Sequence, residues 1–211
     1  MRTPRPEVEP APLRQRRVLR DLARIFSTVF NPFLTAFALF VIFAHAFGGG
    51  TTGFYKLLFT STFFTSIGPM LFVLWLYATG RISDLDMSVR YEREAVFSAF
   101  VVFYLLGTAA LAALHAPRII VASMAGYAAS AFIVQMITRY WKISTHALGI
   151  TAPLVALVAL YGTQPLPFFV LIPIVCWARV YLKSHTILQV TAGAALGATN
   201  VVIFFRLFGV I

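Results

Sequence analysis

Carboxylates run out early in this chain of 211 residues. Glu7, Glu9 and Asp21 precede the first long apolar run, and Asp84, Asp86, Glu92 and Glu94 share one loop. From Ala95 to Ile211 there is no Asp or Glu. That absence excludes a carboxylate-lined metal site, a paired-carboxylate glycosidase and an acidic proton relay from more than half of the chain. Asp84 and Asp86 alone fall short of the spaced carboxylate set that metal-dependent lipid transferases use, so neither a metal nor a cofactor is expected. Cysteine is nearly missing too. Cys176 stands alone in an apolar run and reads as a small hydrophobe, which excludes a disulfide scaffold. Charge of either sign is scarce: 11% of residues are charged and 60% hydrophobic, whereas a globular domain carries roughly 25% charged residues. A chain so composed cannot cover itself with a water-compatible surface. It reads as an all-α, polytopic membrane helix bundle, and not as a disordered regulator or a coiled coil.

What remains is basic, with a formal net charge of +10. Residues 1–24 hold Arg2, Arg5, Arg14, Arg16, Arg17, Arg20 and Arg24 among prolines and read as a flexible cytoplasmic tail. No short apolar run with a small-residue cleavage site follows, so a cleavable signal peptide is not expected. The tail serves as a topology anchor and can touch anionic headgroups. Residues 25–211 read as a single transmembrane domain. A hydrocarbon core of ~30 Å takes about 20 apolar residues; candidate spans are 25–47, 55–79, 95–114, 118–138, 147–163, 166–183 and 186–208. The fifth and sixth are short and interrupted by Pro165, Pro167 and Pro173, which leaves six or seven spans.

Three polar clusters interrupt these spans: 80–94, Arg139–His146 and Arg179–His185. An even number of crossings separates them, so all three emerge on one membrane face together with the tail. That face holds fourteen of the Lys and Arg residues, against Lys56, Arg118 and Arg206 on the other. The positive-inside rule therefore puts the clusters on the cytoplasmic side of the cell membrane.

Each cluster can hold an anion. Arg81, Arg90 and Arg93 in the first offer planar forks that bind phosphate oxygens in pairs, or pair with the acids beside them. The second, Arg139-Tyr140-Trp141-Lys142-Ile143-Ser144-Thr145-His146, places a helix N-cap (Ser144 or Thr145) beside a titratable His146, and helix N-termini attract anions. The third repeats the device: Arg179 ends one span, and Ser184 can cap the next, which opens with His185. A neutral imidazole can attack phosphorus, and a second can protonate the departing oxygen. His45 and His115 fall on the opposite face and read as ordinary polar residues. Gly193 and Gly197, four apart, allow close helix packing within the bundle, with a homodimer seam as the alternative.

In order and spacing, the second and third clusters resemble the type-2 phosphatidic-acid phosphatase superfamily, the lipid phosphatases related to vanadium haloperoxidases. The family pattern is Lys-x6-Arg-Pro, then Pro-Ser-Gly-His, then Ser-Arg-x5-His-x3-Asp. Ile143-Ser144-Thr145-His146 matches the second motif at Ser and His, and Ala178-Arg179 through His185 keeps the Arg-to-His spacing of the third. The likeness covers roughly residues 80–200.

The resemblance implies His185 as nucleophile and His146 as acid for the leaving group. It implies a phosphate held by Ser144, Thr145, Lys142, Arg179 and a basic residue of the first cluster, Arg81 or Arg90. Departures are plain. Arg81 replaces Lys, Ser88 stands seven residues on with Arg90 displaced by two, no Pro follows, and Thr145 replaces Gly. Gln189 occupies the place of the Asp that orients the nucleophilic His; its carbonyl fixes the tautomer without stabilising imidazolium. The activity implied is a metal-independent hydrolase acting on phosphatidate, phosphatidylglycerol phosphate or a polyprenyl diphosphate through a phosphohistidine. The alternatives are a catalytically weakened lipid-phosphate-binding protein, a prenyl-diphosphate-processing enzyme on the same fold, and a small carrier for an organic anion. The partners expected are the bilayer and the lipid phosphate, and no nucleic acid.

Overall fold

The computed structural model describes residues 11–85 and 89–211, and these are helical with no strand among them. Helix α1 (Ala11–Val29) meets α2 (Pro32–Phe47) at a bend of 47°. Sequence dictates the break: Asn31 caps α2 by accepting the N–H groups of Phe33 and Leu34, both at 3.0 Å, and Pro32 follows at the first helical position. The span expected at 25–47 is thus two helices, and residues 11–24, expected as a flexible tail, are helical in α1.

A longer rod follows. Helix α3 (Thr51–Thr62) passes through one wide π turn at Phe63–Ile67 into α4 (Gly68–Ala78). Pro69, just beyond that turn, has no N–H to give to the preceding turn, and a π bulge absorbs the mismatch. Hydroxyls in the rod bond back to its own carbonyls (Thr62 to Leu58 at 2.6 Å, Thr65 to Ser61 at 2.8 Å), so their burial leaves no orphan. Ser66 instead bonds Phe33 O at 2.9 Å and ties the rod to α2.

Helices α5 (Arg90–Ala113) and α6 (Arg118–Thr138) pack along each other. Next come α7 (Thr145–Tyr161), a 3-10 turn at Leu166–Val170, α8 (Leu171–Tyr181) and α9 (Ile187–Leu207). Helix α9 lies on α7 with almost no side chain between them. A Cβ on Gly193 would collide with the carbonyl of Ser144, and one on Gly197 would sit 2.8 Å from the carbonyl of Leu148. The small-residue stripe is therefore occupied by α7 of the same chain. Asn200 on α9 donates to Gly126 O and Ser130 Oγ of α6, both at 2.6 Å, which pins the third helix. The core beneath is aliphatic and aromatic, with Phe40, Phe43, Leu111, Met124 and Phe205 fully buried.

Among the described residues, four helical stretches are long and apolar enough to cross a membrane: Thr51–Ala78, Tyr91–Ala113, Arg118–Thr138 and Ile187–Leu207. The bent pair α1–α2 makes up to five, while Thr145–Tyr161 and Leu166–Tyr181 are apolar but shorter. By length and composition the count is four to five against the six or seven expected, because the fifth and sixth apolar runs are spent on short, proline-interrupted helices.

Candidate functional site

The three polar clusters converge on one cavity of about 670 Å³, within the size range of small-molecule sites. Arg24, Arg93, Lys142 and Arg179 line it together with Thr145, His146, Ser184 and His185, and among the described residues no Asp or Glu lines it. Four cations and two imidazoles thus face one space.

The turn after α8 explains the Arg179-to-His185 spacing. The carbonyl of Arg179 accepts the N–H groups of Ser184 (3.0 Å) and His185 (3.3 Å), with Lys183 between them in the left-handed region at φ 57°. This is a helix C-terminal turn of the kind that usually takes glycine, and it folds His185 back beside the helix that carries Arg179. Helix α9 then begins two residues later than expected. Its N-cap is Thr186 and not Ser184: Thr186 Oγ1 accepts the Gln189 N–H at 3.3 Å, and Gln189 Oε1 accepts the Thr186 N–H at 3.0 Å, a reciprocal capping box.

Gln189 thereby acquires a second task. Its Oε1 stands 3.3 Å from His185 Nδ1. Because the same oxygen accepts a backbone N–H, the amide orientation is fixed with its carbonyl toward the ring. His185 must therefore carry its proton on Nδ1, leaving the Nε2 lone pair available. The main chain of Gln189 also reaches across, accepting the N–H of Ser144 at 3.2 Å and joining the starts of α7 and α9.

Ser144 caps α7, accepting the Ala147 N–H at 3.3 Å. His146 falls in the first turn, where helix N–H groups have no intrahelical acceptor. It hydrogen-bonds the backbone of Ser27 on α1 and interacts electrostatically with both Arg179 and His185. Arg179 is buried and donates from Nη1 to Ser27 Oγ at 2.7 Å. Burial, reinforced by the charges of Lys142 and Arg179, lowers His185 to about 3, against the Gln189 hydrogen bond that favours imidazolium. The cationic pocket resists a further proton; an anion inside it would reverse that preference.

Of the residues singled out in the sequence, His146, His185, Lys142, Thr145 and Arg179 line the cavity. Gln189 lies behind His185. Ser144 does not reach the space: it is wholly buried and its hydroxyl is committed to the helix start, because Gly193 draws α9 against it. Arg81 also lies elsewhere, exposed, with its guanidinium 4.5 Å over the Trp75 ring. Arg90 begins α5, and its side chain lies outside the described residues, as do Asp86 and Ser88.

Arg93 is the basic residue of the first cluster that enters the cavity, buried and one turn into α5. Its signal was helical phase, since Arg93 lies four, seven and eleven residues before Phe97, Phe100 and Tyr104 and shares their cavity-lining stripe of α5. Arg24 and Ser27 of α1 were not anticipated, because Arg24 read as the end of a tail and Ser27 as part of the apolar span 25–47. Arg139 turns instead to Glu94 at 3.8 Å.

Below the charged end the cavity is apolar, lined by Phe97, Phe100, Val134, Ala131, Val73 and Leu148. Arg93 and Tyr104 both line it from α5, and eleven residues of helix span about 16 Å. Tyr104 and Tyr127, with ring centroids 5.8 Å apart, floor the slot, and Tyr127 rests on the fully buried Phe40 at 5.9 Å.

Comparison with protein-family models, curated proteins and solved structures gives no match for this chain.

Proposed function

We propose that the chain is a membrane hydrolase that removes phosphate from a lipid phosphate or diphosphate. One observation carries the reading: a cavity whose head holds four cations, two histidines and, among the described residues, no carboxylate continues into an apolar slot, head and slot together spanning about 16 Å along α5. A phosphoryl group bonded to a hydrocarbon chain satisfies both halves at once. The reading agrees with the resemblance to the type-2 phosphatidic-acid phosphatases carried by Arg179, His185 and His146.

In this mechanism Arg93, Lys142 and Arg179 hold the phosphoryl oxygens and offset the charge that develops on them. Nε2 of His185 attacks phosphorus as the P–O bond to the lipid breaks. His146 gives its proton to the departing oxygen. The phosphohistidine is then opened by water, whose proton returns to His146. Bound phosphate supplies the negative charge that lets His146 hold a proton amid guanidinium groups. No step calls for a metal. Phosphatidate, phosphatidylglycerol phosphate and a polyprenyl diphosphate all fit these requirements.

The same reading sets the topology. Clusters Arg139–His146 and Arg179–His185 lie at one cavity, so the chain must leave and return over α7 and α8. At 17 residues α7 is about 25 Å long, a mismatch that local thinning of the bilayer accommodates. We therefore count α2, the α3–α4 rod and α5 to α9 as seven crossings, in the cell membrane, with the cavity head on the arginine-rich cytoplasmic side.

A second reading has its own support. Gln189, where a carboxylate would stabilise imidazolium, favours a protein that binds lipid phosphate and turns it over slowly or not at all. Phosphate release from a panel of lipid phosphates in detergent separates the two. Release that resists EDTA, is inhibited by vanadate and disappears in His185→Ala supports the hydrolase. Saturable binding without release supports the second reading.

A further inference from the structure

Helix α1 has three distinct faces. Ala23 and Ser27, four residues apart, are buried against the bundle, where α1 packs on α8. Arg14, Arg17 and Arg24 are exposed along one flank with Asp21, the sole acid of the helix, which stands 4.0 Å from Arg24, while the exposed Arg16 and Arg20 fall in line with Ala23 and Ser27. Val18, Leu22, Ile25 and Val29 follow the i, i+4, i+7, i+11 spacing of one helical stripe and are 40–56% exposed. An apolar stripe flanked by arginines does not fit a segment inside the hydrocarbon core, and the 47° bend takes α1 off the line of α2. Each Arg near the bilayer centre costs roughly 3 kcal/mol. The pattern is that of a helix lying in the plane of the membrane surface.

We propose that α1 is an interfacial helix bound to an anionic bilayer surface, with Val18, Leu22, Ile25 and Val29 in the acyl boundary and the flanking Arg14 and Arg17 on lipid headgroups. Charge complementarity selects the occupant, because arginines beside an exposed apolar stripe match anionic phosphates over hydrocarbon. On α2, Leu34 and Phe37 are exposed as well. Bilayer binding bears on the cavity as well. Ser27, on the same helix, accepts from Arg179 and its backbone bonds His146, and Arg24 lines the cavity head. Surface lipid thus sets the position of a cavity wall. The inference needs no turnover and stands apart from the hydrolase reading.

Full-length protein in nanodiscs, in a Cys176→Ser background, tests it. Nitroxides go on Leu22→Cys, Ile25→Cys and Arg20→Cys, all exposed sites. Collisions with dissolved oxygen should exceed those with an aqueous nickel chelate at 22 and 25, with the reverse at 20. Equal chelate access at all three sites, or low access to both reagents at 22 and 25 as under a protein partner, would overturn the proposal. Amide exchange over residues 14–29 provides a second readout without mutation. It should slow by about fivefold per engaged arginine in phosphatidylglycerol nanodiscs relative to phosphatidylcholine alone; identical rates would remove the headgroup contacts.

Discussion

Gln189 Oε1 receives the Thr186 N–H at 3.0 Å and faces His185 Nδ1 at 3.3 Å, so one side-chain carbonyl both caps α9 and fixes the tautomer of the proposed nucleophile. The position is shared between folding and chemistry. An amide there orients the ring and gives the charged ring only a dipole where a carboxylate would give a full counter-charge.

Gln189→Asp should raise phosphate release by about tenfold, the lower end of what outer partners of reacting groups contribute. It should raise the His185 pKa at the same time. Steady-state release together with the imidazole NMR titration checks both. Turnover that is unchanged or lower in a folded variant would mean that the Gln189 arrangement is adapted to another task.

Acid should weaken the fold through His185. Its folded pKa lies near 3, below the ordinary value of 6.5, so above pH 6.5 both folded and unfolded chains hold it neutral. As pH falls from 6.5 toward 3, the unfolded chain takes up a proton that the folded one refuses, and stability is lost across that window. Melting temperatures in detergent should show this fall, His185→Gln should flatten it, and vanadate, whose charge favours imidazolium and raises the folded pKa toward 6.5, should make it smaller.

Lys183 holds the turn between Arg179 and His185 at φ 57°, where a side chain costs roughly 1–2 kcal/mol. Lys183→Gly should recover about 1 kcal/mol and raise the melting temperature with phosphate release intact. Lys183→Val should lower both, since a β-branched residue opposes the turn that returns His185 to Arg179.

Ala131 lines the apolar slot between Val134 and the Tyr127 floor. Ala131→Phe should cut release from long-chain lipid phosphates while sparing water-soluble short-chain ones, read as kcat/KM along a chain-length series. An equal loss for every chain length would show that the chain does not enter the slot.

Much of this arrangement was legible in the residues, and the misses have physical causes. Long apolar runs and the absence of acids after Glu94 announced helices around a cationic site, and the Arg179-to-His185 and Ser144-to-His146 spacings marked its two helix starts. Asn31-Pro32 is a helix-start signal, yet it sits inside an apolar stretch that reads as one span. The Val18, Leu22, Ile25 and Val29 stripe was hidden by the prolines and arginines before it, which suggest a tail. Thr186-x-x-Gln189 is a capping box that Ser184, two residues earlier, obscured. Choosing Arg93 over Arg81 required knowing where α5 begins, because helical phase alone decides which guanidinium faces inward. Ser144 fails as a phosphate ligand for a tertiary reason, the close approach of Gly193.

The central claim is that His185 takes the phosphoryl group. Acid-free quenching of the full-length protein turning over a ³²P-labelled lipid phosphate, followed by peptide mapping, measures it directly. The account predicts an acid-labile, base-stable label on residue 185 that is absent in His185→Ala. Steady phosphate release with no label on that histidine, or with label on another residue, would contradict it.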